Sequence, residues 1–464
     1  MSVVAALVSN VIDTPYAAIP EDAIVRAKWR IIDTLGCLIA GRDGAGCRGA
    51  IDMVRSWGGA AQGSVLTHGL KVPAHNAAML NSLMARSFDF EPVEAEGETR
   101  SSPAHISGTT VPTALTMAEW RGASGKELLA ALIVGDDLTA RLALATGFDF
   151  SLGWDNTGTV NCFGATAIAC RLLRLGRQET AQALGIALNQ LAGSLDGVWD
   201  KAMSFKLGMA LAARTGVFSA ELAASGFSGS KDPFLGRNGY FKLYCRDADT
   251  SGLTKDLGRR FYADRVIKPH AACRATHAAI DAALHISRAR DISADAVGEI
   301  VIVVPKSHID GFTGQAFAPQ QAATAQIEGA FSLRYTVATA LLRKAVKPAC
   351  FTPACLRDPA VHALIERMTF LPLAAGGSVA AEVRVTLKDG QMLLGEVASG
   401  AGDIVRTPLS AEDIRAKFRD NVDYSRAVAM EDAEKALSRL EALEDVGDLG
   451  EIASLLCHQT RFPT

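Results

Sequence analysis

The sequence has no long run of apolar residues and no cluster of like charges, and these absences exclude several classes of protein. Its longest apolar stretch, Leu128–Val134, is far shorter than the roughly 20 residues that span a bilayer. The 47 basic and 50 acidic residues give a formal net charge of −3. We therefore expect neither a membrane segment nor a nucleic-acid-binding surface. The N-terminus has no basic residue before its short apolar run, so we expect a cytoplasmic protein without a signal peptide.

Cysteine pairs and nucleotide-binding motifs are also missing. The nine cysteines are spread singly from Cys37 to Cys457 without a C-x-x-C pair, which argues against a disulfide framework and a zinc ribbon. The glycine cluster at 41–46 follows a helical segment, whereas a dinucleotide fingerprint follows a strand, and no P-loop is present. No G-x-S-x-G elbow follows a strand, which argues against a Ser/His/Asp hydrolase.

Apolar residues are abundant, at 49% of 464 residues, which is enough to fill the cores of two structural units. Over roughly the first 260 residues they recur at i, i+3, i+4 and i+7, the period of packed helices. Ser124 and Glu127 form a capping box that predicts a helix starting near Gly125. Further helices are predicted over roughly 22–40, 74–88, 109–121, 179–194 and 208–225.

The pattern changes after about residue 265. Glu299–Val304 reads as a strand, and residues 379–397 alternate around the turn Lys388–Gly390, which predicts a hairpin. A helical stretch lies between them at 322–342, and helices return after Pro408 with a cap at Ser410. The sequence therefore predicts a mostly α fold, with a helical domain of residues 1–266 and 399–464 and an inserted α+β domain of residues 267–398.

Polar residues interrupt the apolar helices in the N-terminal part at two places. Asp89 and Glu91 precede an acidic loop that ends near His105, and a carboxylate and an imidazole at the ends of a loop suit acid/base chemistry. The alternative is a helix end, a solvated loop and a capping histidine. Lys206 precedes a long Ala-rich helix, where an anionic substrate would also meet free N–H groups, unless the lysine extends to water.

The densest polar cluster runs from Lys268 to His277, at the start of another helix. Lys268 and Arg274 are fixed cations, His277 is one of two imidazoles, and Cys273 adds a thiol. This set suits the binding of carboxylates together with a proton transfer. A metal site is the rival, although the intervening cations would repel a metal ion. Further along, Tyr335 offers a phenol in a segment that otherwise reads as amphipathic core.

These segments together resemble the MmgE/PrpD (2-methylcitrate dehydratase-like) superfamily from about residue 20 to 460. The resemblance implies a large all-helical domain, a smaller inserted α+β lid domain and a homodimer. It also implies a site between the domains that needs neither a metal nor an organic cofactor, and members that dehydrate, decarboxylate or epimerise small polycarboxylates. The blocks that carry it, in the family's order, are Ile31–Gly36, Val111–Ala114, Gly164, Ala212–Gly216, Gly226–Gly229, Lys268–His277 and Phe331–Tyr335.

The chain also departs from the family pattern in several places. Residues 89–93 read Asp-Phe-Glu-Pro-Val where the family has a D-F-D-D-T-like segment, and Cys273 stands where the decarboxylase has a catalytic histidine. Trp154 and Asp155 replace an aromatic-histidine pair, and Gly208 falls where one branch has a histidine. The resemblance and the residue chemistry together predict these site residues: for catalysis Asp89, His105, Lys206, Lys268, His277 and Tyr335, and for substrate contacts Glu91, Trp154, Cys273 and Arg274.

We therefore expect a cofactor-independent lyase of the dehydratase type that acts on a small di- or tricarboxylate. Asp89 or His105 removes a proton next to a carboxylate. An epimerase or a decarboxylase of a related polycarboxylate is the first alternative, and a non-catalytic carboxylate-binding paralogue is the second. The other expected roles are holding carboxylates (Lys206, Lys268, Arg274) and protonating the leaving hydroxyl (His105, His277, Tyr335).

Overall fold

The computed structural model describes residues 2–98, 101–319, 321–374 and 380–457, and the fold is mostly α. Among the described residues, no helix is both long enough and apolar enough to span a membrane. The helices of the N-terminal part are α1 (Val3–Asp13), α2 (Glu21–Ala40), α3 (Cys47–Trp57), α4 (Ala74–Ala85), α5 (Ile106–Arg121), α6 (Gly125–Ala145), α7 (Asn156–Leu172), α8 (Arg177–Ala187), α9 (Asp196–Trp199), α10 (Leu207–Ala224) and α11 (Tyr240–Tyr244).

The helices predicted in this part are confirmed, with ends that differ by a few residues. α6 begins where its capping box placed it: the Ser124 hydroxyl accepts from the Glu127 N–H, and the Glu127 carboxylate accepts from the Ser124 N–H. The largest deviation is α8, which ends at Ala187 and continues only as a short 3-10 turn.

The expectation of an all-helical N-terminal part is wrong, because short strands lie between its helices. β1 (Gly63–Val65) pairs with β2 (Leu70–Val72). β3 (Val93–Glu96) lies between β4 (Ser101–Ser102) and β5 (Asp264–Val266), antiparallel to both. Part of the predicted acidic loop is therefore a strand, which buries Val93 and Ala95 on one side and turns Glu94 and Glu96 outward.

The following segment, up to residue 397, is α+β. Its sheet has the order β7-β6-β8-β9, in which β6 and β7 are parallel and the other neighbours antiparallel. The predicted hairpin is confirmed at 381–397, with Gly390 at φ +87° in its turn, while Val379 lies outside the described residues. The elements are α12 (His277–Ala289), β6 (Val297–Val304), α13 (Lys306–Asp310), α14 (Ala325–Ala330), α15 (Leu333–Arg343), α16 (Pro353–Leu356), α17 (Pro359–Ile365), β7 (Met368–Pro372), β8 (Ala381–Leu387) and β9 (Met392–Val397).

The chain then returns to the N-terminal helices through α18 (Ala411–Ser425), α19 (Met430–Glu441) and α20 (Gly450–Cys457). The predicted cap at Ser410 is confirmed, since its hydroxyl accepts from the Asp413 N–H. α18 packs against α2. The C-terminal helices thus complete the part of the fold that the N-terminus began.

Two hydrophobic cores result from this path of the chain. The first draws its buried residues from segments 4–267 and 414–456. The second is built mainly from 271–397, and it also takes in Phe88, Phe90 and Phe205 from the N-terminal part. Because Phe88 and Phe90 flank Asp89, the second core packs directly against the segment that the sequence singled out for acid/base chemistry.

Candidate active site

The site begins at a buried turn that follows α4. The helix ends at Ala85, and Asp89 has φ +49°, a left-handed backbone that a residue with a side chain adopts only when its surroundings hold it there. This turn brings Arg86, Asp89 and Glu91 together. Arg86 Nη1 donates to a carboxylate oxygen of Asp89 and, at 2.7 Å, to Oε1 of Glu91. All three side chains are at most 3% exposed, so one guanidinium is shared by two buried carboxylates.

His105 joins this cluster from the first residue before α5. Its Nδ1 lies 2.7 Å from Glu91 Oε1, and its Nε2 lies 3.8 Å from Asp89 Oδ1. Burial, followed by the charge of Arg86, lowers the pKa of His105, so the imidazole is neutral at neutral pH. Nδ1 also lies 3.0 Å from Arg86 Nη1, which can only donate. A base at Nε2 therefore requires the tautomer in which Nδ1 keeps its proton and donates it to the ionised Glu91.

Lys268 supplies the second cation of the cluster. Its side chain is fully buried, and its Nζ lies 3.1 Å from Asp89 Oδ1 and donates to the backbone carbonyl of Asp89. Burial raises the carboxylate pKa values, but it is outweighed: Arg86 and Lys268 hold the pKa of Asp89 below its usual value, and Arg86 together with the hydrogen bond from His105 holds that of Glu91 far below. Two buried cations therefore balance two buried carboxylates, beside a neutral imidazole.

A cavity of about 450 Å³ opens onto this cluster between the two cores. Arg86, Asp89 and His105 line it from the first core, and Cys273 and Arg274 line it from the segment before α12. The rest of its lining adds an imidazole, a second arginine and aromatic rings, contributed by His308, Arg406, Phe148, Phe150, Phe312 and Phe331. The cavity thus combines a polar floor with cationic and apolar walls.

Arg274 and Cys273 occupy different electrostatic positions on the cavity wall. Arg274 donates to the carbonyls of Gly400 and Ala401, and its Nε lies 3.4 Å from Glu94 Oε1. This half-buried guanidinium is fixed in place and can meet a carboxylate in the cavity. Burial, and then the neighbouring Asp89 charge, raises the pKa of the Cys273 thiol to about 12, so Cys273 is a neutral wall residue.

The structure does not bring Lys206 to the cavity. Its buried Nζ donates to the carbonyl of Ala45 and lies 3.4 Å from Cys47 Sγ and 3.3 Å from Ser87 Oγ. These contacts fasten the start of α10 to the segment before α3. The position ahead of a helix was predicted correctly, but the ammonium is directed to a backbone carbonyl rather than to the cavity.

His277 and Tyr335 also lie away from the cavity lining, inside the second core. His277 is fully buried, its Nε2 lies 3.1 Å from the carbonyl of Ala272, and its ring packs against His270. Burial, and then the charge of His270, lowers the pKa of His277 well below its usual value. The Tyr335 hydroxyl donates to the carbonyl of Cys350. Both polar groups are therefore used to satisfy backbone carbonyls of the core.

Trp154 supports the cavity wall from behind. Its ring packs edge-on against Phe148, which lines the cavity, and against Tyr240 and Tyr244. Trp154 itself is not among the lining residues. A substrate contact at this position would therefore be made by Phe148, with Trp154 holding that ring in place.

Three basic residues at the cavity were missed from the sequence: Arg86, His308 and Arg406. Arg86 lies three residues before Asp89 at the end of an apolar helix, and this i, i+3 spacing of opposite charges was the available signal. His308 lies on the wall formed by the second core, and its Nδ1 is buried without a hydrogen-bond partner among the described residues. Burial lowers the pKa of His308, so it is a second neutral imidazole in the cavity.

The oxygen and nitrogen atoms of Asp89, Glu91 and His105 lie close enough together, all within 4.8 Å, to hold a metal ion. The charges around them argue against that use. Arg86 Nη1 already lies between them, 2.7 Å from Glu91 and 3.0 Å from His105 Nδ1, and Lys268 adds a second positive charge. A divalent cation would have to displace a buried guanidinium, so this donor set does not fit a resident metal.

Comparison with known proteins agrees with this architecture. The chain resembles the cis-aconitate decarboxylase-like protein oryM of Aspergillus oryzae, with 26% identity over 98% of this chain and 97% of that protein. It also resembles the cis-aconitate decarboxylases of Mus musculus (24% identity, 83% of this chain and 79% of that protein) and Aspergillus terreus (25%, 91% and 90%). The MmgE/PrpD N-terminal domain model matches residues 5–253 and the C-terminal domain model matches 270–442. The chain therefore belongs to the MmgE/PrpD family.

Proposed function

We propose that this chain is a lyase of the dehydratase type, which removes water from a small di- or tricarboxylate by taking a proton from the carbon next to a carboxylate. The supporting observation is the buried cluster of Arg86, Asp89, Glu91, His105 and Lys268 at the floor of the cavity. Relatives named as decarboxylases of a tricarboxylate support a substrate of this class.

His105 is the base in this proposal. His105 lines the cavity, and its neutral Nε2 is assigned to take the proton while Glu91 holds Nδ1 and stabilises the imidazolium that forms. Before the reaction the four charged groups of the cluster balance each other. When His105 takes the proton, the cluster gains one positive charge beside the enediolate that develops on the substrate, and this attraction lowers the barrier in a site closed to water.

The leaving hydroxyl needs a proton, and His308 is the group that we assign to this step. Its imidazole lines the same cavity as His105, from helix α13 (Lys306–Asp310). His308 gives its N–H proton to the departing hydroxide and becomes an imidazolate, while the electron pair left by the abstracted proton forms the carbon–carbon double bond and water leaves. Proton transfer from the His105 imidazolium to the His308 imidazolate through the released water then returns both imidazoles to their neutral forms. Arg274 and Arg406, which also line the cavity, bind the substrate carboxylates.

We also propose that residues 267–398 act as a lid that closes over the cavity, and that no cofactor takes part. His308, Cys273 and Arg274 belong to this segment, whereas Asp89 and His105 belong to the first core. Closure would bring the two imidazoles to the same substrate and exclude water. We also propose a homodimer, which the family resemblance implies, and a cytoplasmic location.

A decarboxylase is the second candidate, favoured by the printed names of the relatives. In that reaction a carboxylate leaves as CO₂ and a carbon is protonated, which a protonated His105 could perform. Cys273, which stands where the resemblance puts a catalytic histidine of the decarboxylase, is a poor proton donor because burial raises the pKa of its thiol to about 12. An epimerase would return the proton to carbon and leave no double bond.

Proton NMR of the purified protein in heavy water separates these reactions. The substrates are citrate, 2-methylcitrate, malate, cis-aconitate and iminodisuccinate. A new alkene signal from a hydroxy acid supports the dehydratase, CO₂ release from cis-aconitate supports the decarboxylase, and deuterium uptake without an alkene supports the epimerase. Binding without any exchange or product would support the non-catalytic alternative and refute the proposed function.

A matched pair of variants tests the assignment of His105. His105→Gln should lower the rate by about 10²- to 10⁴-fold, the usual contribution of general acid–base catalysis. His75→Gln is the control, because His75 pairs with Glu221 at 3.2 Å in the first core and does not line the cavity. Equal rates for the two variants would refute His105 as the base.

A further inference from the structure

Two buried lysines hold consecutive backbone carbonyls of the turn that carries Asp89 and Glu91. Lys268 donates to the carbonyl of Asp89, and Lys417 donates to the carbonyl of Phe90 at 2.9 Å. Lys268 reaches the turn from the segment before α12, and Lys417 reaches it from α18, 327 residues along the chain. The turn is therefore fixed from two sides by ammonium groups.

Lys417 has a second partner that keeps its ammonium in place. Its Nζ lies 2.7 Å from Oδ1 of Asp33 on α2, and 3.6 Å from the centre of the Phe90 ring. Lys417 and Asp33 are both buried, at 7% and 1% exposure. The Lys417 ammonium is thus surrounded by the Asp33 carboxylate, the Phe90 carbonyl and the face of the Phe90 ring, which leave it little freedom to move.

The Lys417 ammonium is on the far side of the turn from the substrate cavity. Lys417 and Phe90 line a separate cavity of about 550 Å³, together with Tyr424, whereas the residues around the substrate cavity do not include them. Lys417 therefore acts on the site through the backbone of the turn and not by touching the substrate.

The hydrogen bond from Lys417 to the Phe90 carbonyl matters because the neighbouring Asp89 has a left-handed backbone. A residue with a side chain keeps φ +49° only where the surrounding structure holds it there. Phe90 lies between the two carboxylates, so releasing its carbonyl lets the turn relax and moves Asp89 and Glu91 relative to Arg86 and His105. A shift of about 1 Å in a catalytic group can lower a rate by roughly 10²-fold.

We propose that Lys417, held by Asp33, is a positioning residue that keeps Asp89 and Glu91 in register with Arg86 and His105. The inference rests on the proposed function, because it assigns a catalytic use to that cluster. Lys417→Met should lower kcat by about 10- to 100-fold, as for a small displacement of catalytic groups, and leave KM nearly unchanged because Arg274 is untouched.

The matched control is Lys28→Met. Lys28 lies on α2, the helix that carries Asp33. Like the Nζ of Lys417, its Nζ bridges a backbone carbonyl, that of Glu441 at 2.8 Å, and a carboxylate, that of Glu444 at 3.0 Å. Removing the Lys28 ammonium breaks the same kinds of bond, but at Glu441 and Glu444 and not at the turn of Asp89 and Glu91. We therefore expect kcat to stay at the wild-type value. Lys417→Arg keeps a charged donor and should recover part of the lost kcat.

A double variant separates positioning from stability. In Lys417→Met, Asp33 becomes a buried carboxylate without its cation, which destabilises the fold. Adding Asp33→Asn removes that charge and should restore much of the stability in urea unfolding, while kcat stays low because the Phe90 carbonyl is still released. Wild-type kcat in a folded Lys417→Met protein, or kcat that returns together with stability in the double variant, would overturn the proposal.

A measurement that needs no turnover distinguishes failure of the proposed function from failure of the positioning role of Lys417. The imidazole signal of His105 can be assigned by NMR as the one missing from His105→Gln. If no substrate of the panel reacts, the proposed function fails, but a His105 signal that moves in Lys417→Met and not in Lys28→Met still supports the positioning role. A His105 signal that is the same in all three proteins overturns it.

Discussion

Replacing Arg86 by methionine tests the electrostatic account of the site most directly. The change keeps a long apolar side chain but leaves Asp89 and Glu91 buried without the guanidinium that they share. Removing one partner of a buried ion pair typically costs about 3 to 5 kcal/mol, because an uncompensated charge stays in a medium of low polarity. Lys268 still faces Asp89 and His105 still faces Glu91, so we expect a loss of about 3 kcal/mol in the free energy of unfolding.

The pH dependence of this loss follows from the carboxylate pKa values. The charge of Arg86 makes the largest contribution to holding the pKa values of Asp89 and Glu91 below their ordinary values of 3.8 and 4.5. A depressed carboxylate pKa contributes stability above the ordinary pKa, and that contribution disappears as the pH falls through the folded-state value. The difference between wild type and Arg86→Met should therefore be largest near pH 7 and shrink below about pH 4.

Urea unfolding at several pH values between 3 and 8 measures this difference. Adding Glu91→Gln to Arg86→Met removes one uncompensated charge and should recover part of the stability at pH 7. Arg30→Met is a useful comparison, since Arg30 forms a buried pair with Asp136 at 3.0 Å elsewhere in the first core. Its stability should fall while turnover persists. A stability loss in Arg86→Met that is the same at pH 3 and pH 8 would refute the reasoning.

Three further predictions follow from single contacts. Burial raises the pKa of Asp264 to about 7. Ionisation of this buried carboxyl therefore lowers the stability of the fold as the pH rises from about 4 to 7. In Asp264→Asn, the midpoint of urea unfolding should change less with pH over that range. Tyr335→Phe should lower the unfolding free energy by about 1 to 3 kcal/mol without changing kcat, because it leaves a buried carbonyl unpaired. A Cβ on Gly108 would lie 2.5 Å from Met209 Sδ and 3.1 Å from Glu91 Cγ, so Gly108→Ala must displace Met209 and press on Glu91 and should lower kcat. Gly49→Ala, with open space around it, should not.

Features that depend on neighbouring residues were predictable from the sequence. The capping boxes at Ser124 and Ser410 and the hairpin turn at Gly390 are each formed within a few residues, so their side chains and backbone determine them locally. The strand β3 was not predictable in the same way. Its alternation is only four residues long, and the strand β5 that pairs with it lies about 170 residues further along the chain.

The same distinction applies to the site. Asp89 and His105 were predicted because two reactive groups flank one loop, but the polar groups of Lys206, His277 and Tyr335 turn to backbone carbonyls of the cores. A buried backbone carbonyl needs a donor as much as a substrate does, and the residue type alone does not distinguish these uses. Conversely, an arginine at the end of an apolar helix, such as Arg86, usually extends to solvent.

Burial explains both why the site cluster is stable and why it can react. Two cations and two carboxylates buried together avoid the cost of an unpaired charge, and the same environment lowers the pKa of His105 so that the imidazole stays neutral and free to accept a proton. Any variant that changes the charge of one member therefore alters folding and proton transfer together. Lys417 differs because its ammonium meets the turn only through a carbonyl and a ring, so its replacement can separate the geometry of the carboxylates from their charge.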